Sequence, residues 1–185
     1  MRKLFFLLLL VCAAARAGEL SVADAKGAPH QPFGEARKAK AVALFFVTTD
    51  CPIANRFAPE INRICRDYEK RGVAFFIVQT DPNVKAADAV AHAKEYGFTC
   101  PVLLDRKHEL VKRASATVTP EVAVFAPSGK VLYRGRIDDR YARLGQMRAE
   151  PTRRDLRLTL DAIVAGKPVP VASTKAIGCY IEESP

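Results

Sequence analysis

No two of the chain's five cysteines form a C-x2-C pair, and its three histidines, His30, His92 and His108, are scattered. That spacing argues against a zinc site. The cysteines are neither dense nor regularly spaced, so the chain does not read as a disulfide scaffold. There is no internal repeat and no composition shift that would mark a second domain. The longest uncharged apolar run, residues 4–15, has 12 residues, short of the roughly 20 that a membrane-crossing helix needs.

What the chain does have is a globular composition. Of 185 residues, 49 % are hydrophobic and 26 % charged, enough apolar material for a core and a length that fits one domain. The apolar run follows Arg2 and Lys3 and ends in Ala15-Arg16-Ala17. A basic start, a short apolar stretch and a small-x-small site predict an export signal, cleaved after Ala17. Cys12 does not make it a lipoprotein signal, because Val11 stands where a small residue is needed. Residues 18–185 would be the mature domain, periplasmic or extracellular, with no stable membrane insertion after cleavage. Its net charge would fall from +9 to +6 with Arg2, Lys3 and Arg16 removed. That balance favours acidic partners in general; export argues against nucleic acid. Cys51, Cys65, Cys100 and Cys179 would remain, in a compartment where disulfides persist.

Along the chain, residues 18–40 read as an irregular lead-in with a short strand near Leu20 to Val22. Residues 41–47 are a continuous apolar run, the mark of a strand buried on both faces. Ile53, Phe57, Ile61, Ile64 and Tyr68 share one helical face, closed by Gly72. Residues 73–78 form a second buried strand. Asp81-Pro82 reads as a helix start, with that helix running to about Tyr96; His92 and His108 read as exposed helix residues. Residues 102–104 are a short strand, and Asp105 caps a helix reaching about Arg113. Residues 121–125 and 130–133 form a hairpin around Pro127-Ser128-Gly129. Thr152 and Asp155 resemble a capping box for a last helix ending at Gly166, and residues 167–185 form a tail. The β-α-β-α-β-α-β-β-α order predicts an α/β three-layer sandwich, a mixed sheet with helices on both faces.

Cys51 falls where the first central strand meets the first long helix, at the carboxyl edge where open α/β sheets place their sites. Helix-start N–H groups and the helix dipole favour a thiolate there, and Pro52 suits the first turn. Asp50 opposes the shift, so the expected depression is moderate. Thr119-Pro120 opens a strand that topology brings to the same edge; the sequence leaves the isomer of that bond open. Cys65 reads as a core residue beside the apolar stripe.

Thr48-Thr49-Asp50-Cys51-Pro52, the helix that follows, and Thr119-Pro120-Glu121 before a hairpin resemble the thioredoxin-like superfamily. Within it, the chain resembles secreted redoxins of the alkyl hydroperoxide reductase / thiol-specific antioxidant group. Residues 133–139, Tyr-Arg-Gly-Arg-Ile-Asp-Asp, and Gly178-Cys179 are similar too. The resemblance implies thiol-based reduction of peroxides or disulfides, with Cys51, Thr48, Thr119 and Pro120 at the site, no cofactor and no metal. It also implies a thiol reductant or a protein thiol or disulfide as partner.

The departures limit the choice of mechanism. Ala54 occupies the second-cysteine position of a thioredoxin C-x-x-C, and Asn55 that of a copper chaperone's C-x-x-x-C. Leu44 stands where peroxiredoxins carry a proline before Thr48 and Cys51, and Arg113, Arg134 and Arg136 all remain open as the arginine beside the sulfur. A resolving thiol must come from elsewhere: Cys179, in a tail expected to be mobile, is the first candidate and Cys100 the second. Eight arginines within residues 134–157 read as a solvated basic surface, the alternative being thiolate stabilisation or acidic-partner docking. Asp138-Asp139 reads as their salt-bridge partner rather than a cation site. Two other functions stay open, an inactive thioredoxin-like binding module and a metal- or haem-delivery protein using Cys51 and Cys179.

Overall fold

The computed structural model describes residues 20–182; the expected export signal, residues 1–17 with Cys12, lies outside the described residues. In chain order the elements are β1 (Val22–Ala23), β2 (Pro29–His30), α1 (Pro32–Glu35), a 3-10 turn (Ala36–Lys38), β3 (Ala41–Val47), α2 (Pro52–Glu69), β4 (Val73–Gln79) and α3 (Ala86–Glu95). There follow β5 (Val102–Leu104), α4 (Glu109–Ala114), β6 (Val118–Thr119), β7 (Glu121–Phe125), β8 (Val131–Gly135), β9 (Tyr141–Arg143), β10 (Gln146–Met147), α5 (Asp155–Val164) and β11 (Cys179–Tyr180).

The central sheet has the order β5-β4-β3-β7-β8. β3 and β4 pair in parallel, as do β4 and β5, whereas β7 runs antiparallel to β3 and to β8. Every residue of β3 is buried. Alternate side chains pass to opposite faces: Ala41, Ala43, Phe45 and Val47 pack towards α2 and α5, while Val42, Leu44 and Phe46 pack towards Phe33 of α1 and Leu110 and Val111 of α4. Two cores and helices on both faces result, the three-layer arrangement that the alternation of elements predicts.

α2 buries Ile53, Phe57, Ile61, Ile64 and Tyr68, and also Cys65. Its first turn is set by Cys51, whose extended backbone makes it the N-cap, and by Pro52 at the first helical position, where a missing N–H costs nothing. Arg157 of α5 bonds Glu60 and Asp67 of α2, each at 2.7 Å, and so ties the two helices on that face together.

Several local expectations are corrected. α3 starts at Ala86, because Asp81 Oδ1 accepts from the Asn83 N–H at 2.8 Å and so closes a turn. Asp105 reaches the amides of Glu109 and Val111, both at 2.8 Å, from outside α4. His92 and His108 are buried, at 5 % and 3 % exposure, since each has a polar partner: Asn55 for His92, and the Thr80 carbonyl, which accepts from His108 Nε2 at 2.6 Å. Thr152 and Asp155 form no capping box. The Thr152 hydroxyl bonds Asp139, while Asp155 pairs with Arg136 and Arg153.

The tail is pinned rather than loose. Arg134 N–H donates to the Ala172 carbonyl and Thr174 N–H to the Arg134 carbonyl, both at 3.0 Å. The Thr174 hydroxyl shares a 2.6 Å hydrogen bond with Tyr133. Gly135 permits this crossing, because a Cβ there would sit 2.3 Å from the Thr174 carbonyl oxygen. Further on, β11 pairs antiparallel with β6, Cys179 opposite Thr119 and Tyr180 opposite Val118.

Candidate active site

Three elements meet at Cys51: the end of β3, the start of α2, and the turn between β6 and β7. In that turn the Thr119-Pro120 bond is cis. Pro120 has no N–H, so the strand run breaks there and β6 is left to pair with β11. Glu121, 4 % exposed, holds the turn: its Oε2 accepts from the Thr117 N–H at 2.8 Å, and Arg134 lies 3.6 Å from Oε1.

The β6–β11 pairing sets Cys179 Sγ 2.8 Å from Cys51 Sγ. Cys51 Sγ accepts from the Ala54 N–H at 3.4 Å and, as a thiol, donates to the Thr119 carbonyl at 3.0 Å. Burial pushes the Cys51 thiol up, but hydrogen bonding with Cys179, with the Thr119 side-chain hydroxyl and with the Ala54 amide outweighs it, and the net direction is down. Cys179 moves the other way. Burial first, then its bond to Cys51 and the nearby Cys51 and Asp50 charges, push it up to about 12. The pair is therefore polarised: Cys51 is the sulfur that ionises more readily and Cys179 the one that keeps its proton. Asp50 acts on Cys179.

Thr48 Oγ1 is 3.5 Å from Thr119 Oγ1, so Thr48, Thr119 and Pro120 all lie beside the sulfurs. A cavity of about 360 Å³ opens here, lined by Thr48, Asp50, Cys51, Asp81, Cys179 and Glu182, among others. Its lining includes no arginine among the described residues. Arg113 lies over the Phe33 ring, Arg134 bonds the Ser115 carbonyl, and Arg136 pairs with Asp155. Cys100 is not at this site; it lies 3.0 Å from Cys65. Asp138 and Asp139 are taken up by the backbone of residues 140, 152 and 153.

One group of residues was not visible in the sequence. Gln79 Nε2 donates to His92 Nδ1 at 3.2 Å, His92 Nε2–H donates to Asn55 Oδ1 at 2.8 Å, and Asn55 Nδ2 donates to the Thr49 carbonyl at 3.0 Å. This chain of bonds runs from β4 through α3 and α2 to the segment two residues before Cys51. The sequence carries no signal for it, because Asn55 lies off the apolar face of α2 and its partners come from other elements.

A five-stranded mixed sheet, a cysteine capping the helix after its central strand, and a cis-proline facing that cysteine define a thioredoxin-like redoxin. Residues 14–134 match the AhpC/TSA family, and the chain belongs to it. The matched span ends before the tail that carries Cys179. The fold is shared with a hypothetical protein of Sinorhizobium meliloti 1021, at 27 % identity and a TM-score of 0.78 over 90 % of this chain and 91 % of that one. An uncharacterized conserved protein of Geobacillus kaustophilus is similar at 26 % identity and 0.78, over 90 % and 89 %. A secreted Mycobacterium tuberculosis disulfide oxidoreductase homologous to E. coli DsbE shares the fold at 18 % identity and 0.54, over 80 % and 96 %. Among curated protein sequences none matches.

Proposed function

We propose that the protein is a thiol–disulfide oxidoreductase whose redox couple is Cys51 and Cys179. The observation that carries this is the 2.8 Å approach of the two sulfurs beside the cis Thr119-Pro120 bond. The Cys51 thiolate attacks a partner disulfide, forming a mixed disulfide and releasing one partner thiolate. Cys179 gives up its proton and attacks Cys51 Sγ, forming the Cys51–Cys179 disulfide and releasing the second partner thiolate. The partner gains two electrons and two protons, and an external thiol reductant restores the pair. Cys51 is 1 % exposed and covered by β11, so a partner gains access by lifting a two-residue strand pairing while Thr174 keeps the tail anchored.

Peroxide is the second substrate class. The thiolate would be oxidised to a sulfenic acid, and Cys179 would condense with it, releasing water. Asp50, Asp81 and Glu182 line the cavity, and among the described residues its lining includes no cationic side chain to stabilise the departing alkoxide. That lining favours disulfide substrates. No group of three or more His, Cys, Asp or Glu that could hold a metal exists among the described residues.

The same proposal places the mature protein, residues 18–185, outside the cytosol. No helix among the described residues is long and apolar enough to cross a membrane. Turnover of a model disulfide and of hydrogen peroxide by the purified protein tests the function. Disulfide reduction lost in Cys51→Ser supports it; turnover that survives Cys51→Ser ends it, and turnover of peroxide alone makes the protein a peroxidase.

A further inference from the structure

Cys65 and Cys100 are 35 residues apart in sequence, yet their sulfurs are 3.0 Å apart. Cys65 lies within α2 at 1 % exposure, and Cys100 stands just before β5 and packs against the same core. The two ends of this contact differ in access. Cys65 is sealed, whereas Cys100 lines a cavity of about 420 Å³ together with Asp24, His30, Phe98 and Pro101. None of the residues lining the Cys51 cavity lines this one. Along α2, Cys65 is 14 residues from Cys51, about 21 Å at the helical rise, and a disulfide needs Cα atoms within about 7 Å. The two cysteine pairs therefore cannot exchange directly while the fold is intact.

We infer that Cys65 and Cys100 are a second disulfide site, formed independently of Cys51 and serving as a clamp between α2 and the segment that leads into β5. The inference rests on geometry and not on the redox role of Cys51. The chain between the two cysteines contains the end of α2, all of β4 and all of α3, so the bond closes a long loop in the unfolded chain. Cys100, the accessible partner, reacts first. Its thiolate attacks a small disulfide donor such as oxidised glutathione; the donor S–S bond breaks, a mixed disulfide forms at Cys100, and one glutathione leaves and takes up a proton. Cys65 then loses its proton and displaces the second glutathione. The two cysteines lose two electrons and two protons, and the donor becomes two thiols. The order follows from access, and also from Cys65 being held firmly as a thiol by its hydrogen bond with Cys100 and by burial.

The test uses the full chain carrying Cys51→Ser and Cys179→Ser, incubated with oxidised glutathione, digested without reduction and mapped by mass spectrometry. The expected result is a Cys65–Cys100 peptide pair and a melting temperature about 10 °C above that of the reduced protein. Adding Cys65→Ser should leave glutathione trapped on Cys100, while adding Cys100→Ser should leave Cys65 unmodified in the native protein. Free Cys65 and Cys100 after exhaustive oxidation overturn the site. A bond that forms with no change in melting temperature overturns the clamp. Both readouts come from protein without Cys51 or Cys179, so they stand apart from any result on that pair. Wild-type protein mapped in the same way serves if the triple variants do not fold.

Discussion

A Cβ placed on Gly178 would sit 2.1 Å from the Thr119 carbonyl oxygen. No other residue fits there, so the approach of the tail to the cis-proline turn depends on a missing side chain. The same approach brings the neighbouring residue, Cys179, to Cys51.

The first prediction follows. Gly178→Ala keeps the fold, because the change is confined to the tail, but it pushes β11 away from β6. Formation of the Cys51–Cys179 disulfide after addition of a model disulfide should slow at least ~10-fold, which corresponds to about 1.4 kcal/mol of lost positioning. Acid-quenched samples, alkylated and weighed over time, give the rate; circular dichroism checks the fold.

A second prediction concerns pH. The reactive form of a cysteine is its thiolate, so alkylation accelerates as pH rises through the pKa. Cys51 lies below the usual thiol value and Cys179 is pushed up to about 12. In the reduced protein, a small alkylating reagent should therefore label Cys51 with a midpoint below that of an ordinary cysteine thiol and leave Cys179 unlabelled until far more alkaline pH. Because hydrogen bonding with Cys179 leads the effects that lower Cys51, Cys179→Ala should move the Cys51 midpoint upward. Peptide-resolved labelling across pH reads both.

The third prediction concerns the buried Gln79–His92–Asn55 chain. Asn55→Ala removes the acceptor for His92 and the donor to the Thr49 carbonyl, and leaving buried partners unpaired costs about 1–3 kcal/mol. Burial lowers the His92 pKa from 6.5, with the Glu95 charge opposing in part. The unfolded state then binds the proton more readily, so this contribution is present above pH 6.5 and is lost as pH falls through the folded value. His30 has the opposite sign: burial lowers it, but Glu35 and Asp24 outweigh that and raise it, so its contribution is lost as pH rises above 6.5. The difference between wild type and His92→Phe isolates the first effect. Denaturation at several pH values should show the wild type losing its advantage on acidification.

The central architecture was legible because it rests on local patterns. The apolar run of β3, the four-and-three spacing along α2 and the Pro52 start locate Cys51 without any long-range information. Thr119-Pro120 and Cys179 also stood out, since proline and cysteine carry their chemistry in their identity. Contacts between distant segments were not legible. Nothing in the spacing of Cys65 and Cys100 says that α2 and the approach to β5 touch. His92 and His108 read as exposed because a buried histidine differs from a surface one only in its partners, and those partners come from other elements. Gly178 appeared simply as a neighbour of Cys179, while its meaning depends on the Thr119 carbonyl opposite it. The start of α3 was misplaced because Asp81-Pro82 suits both a helix cap and the turn it forms.

The central claim is that Cys51 and Cys179 are one redox couple. The most direct measurement adds one equivalent of a model disulfide to the fully reduced protein, blocks remaining thiols in acid and maps every cysteine by mass spectrometry. The account predicts a Cys51–Cys179 peptide pair as the main new product, with Cys179→Ser stalling at a mixed disulfide on Cys51. Cys51 recovered as a free thiol, or joined to any cysteine other than Cys179, would contradict it.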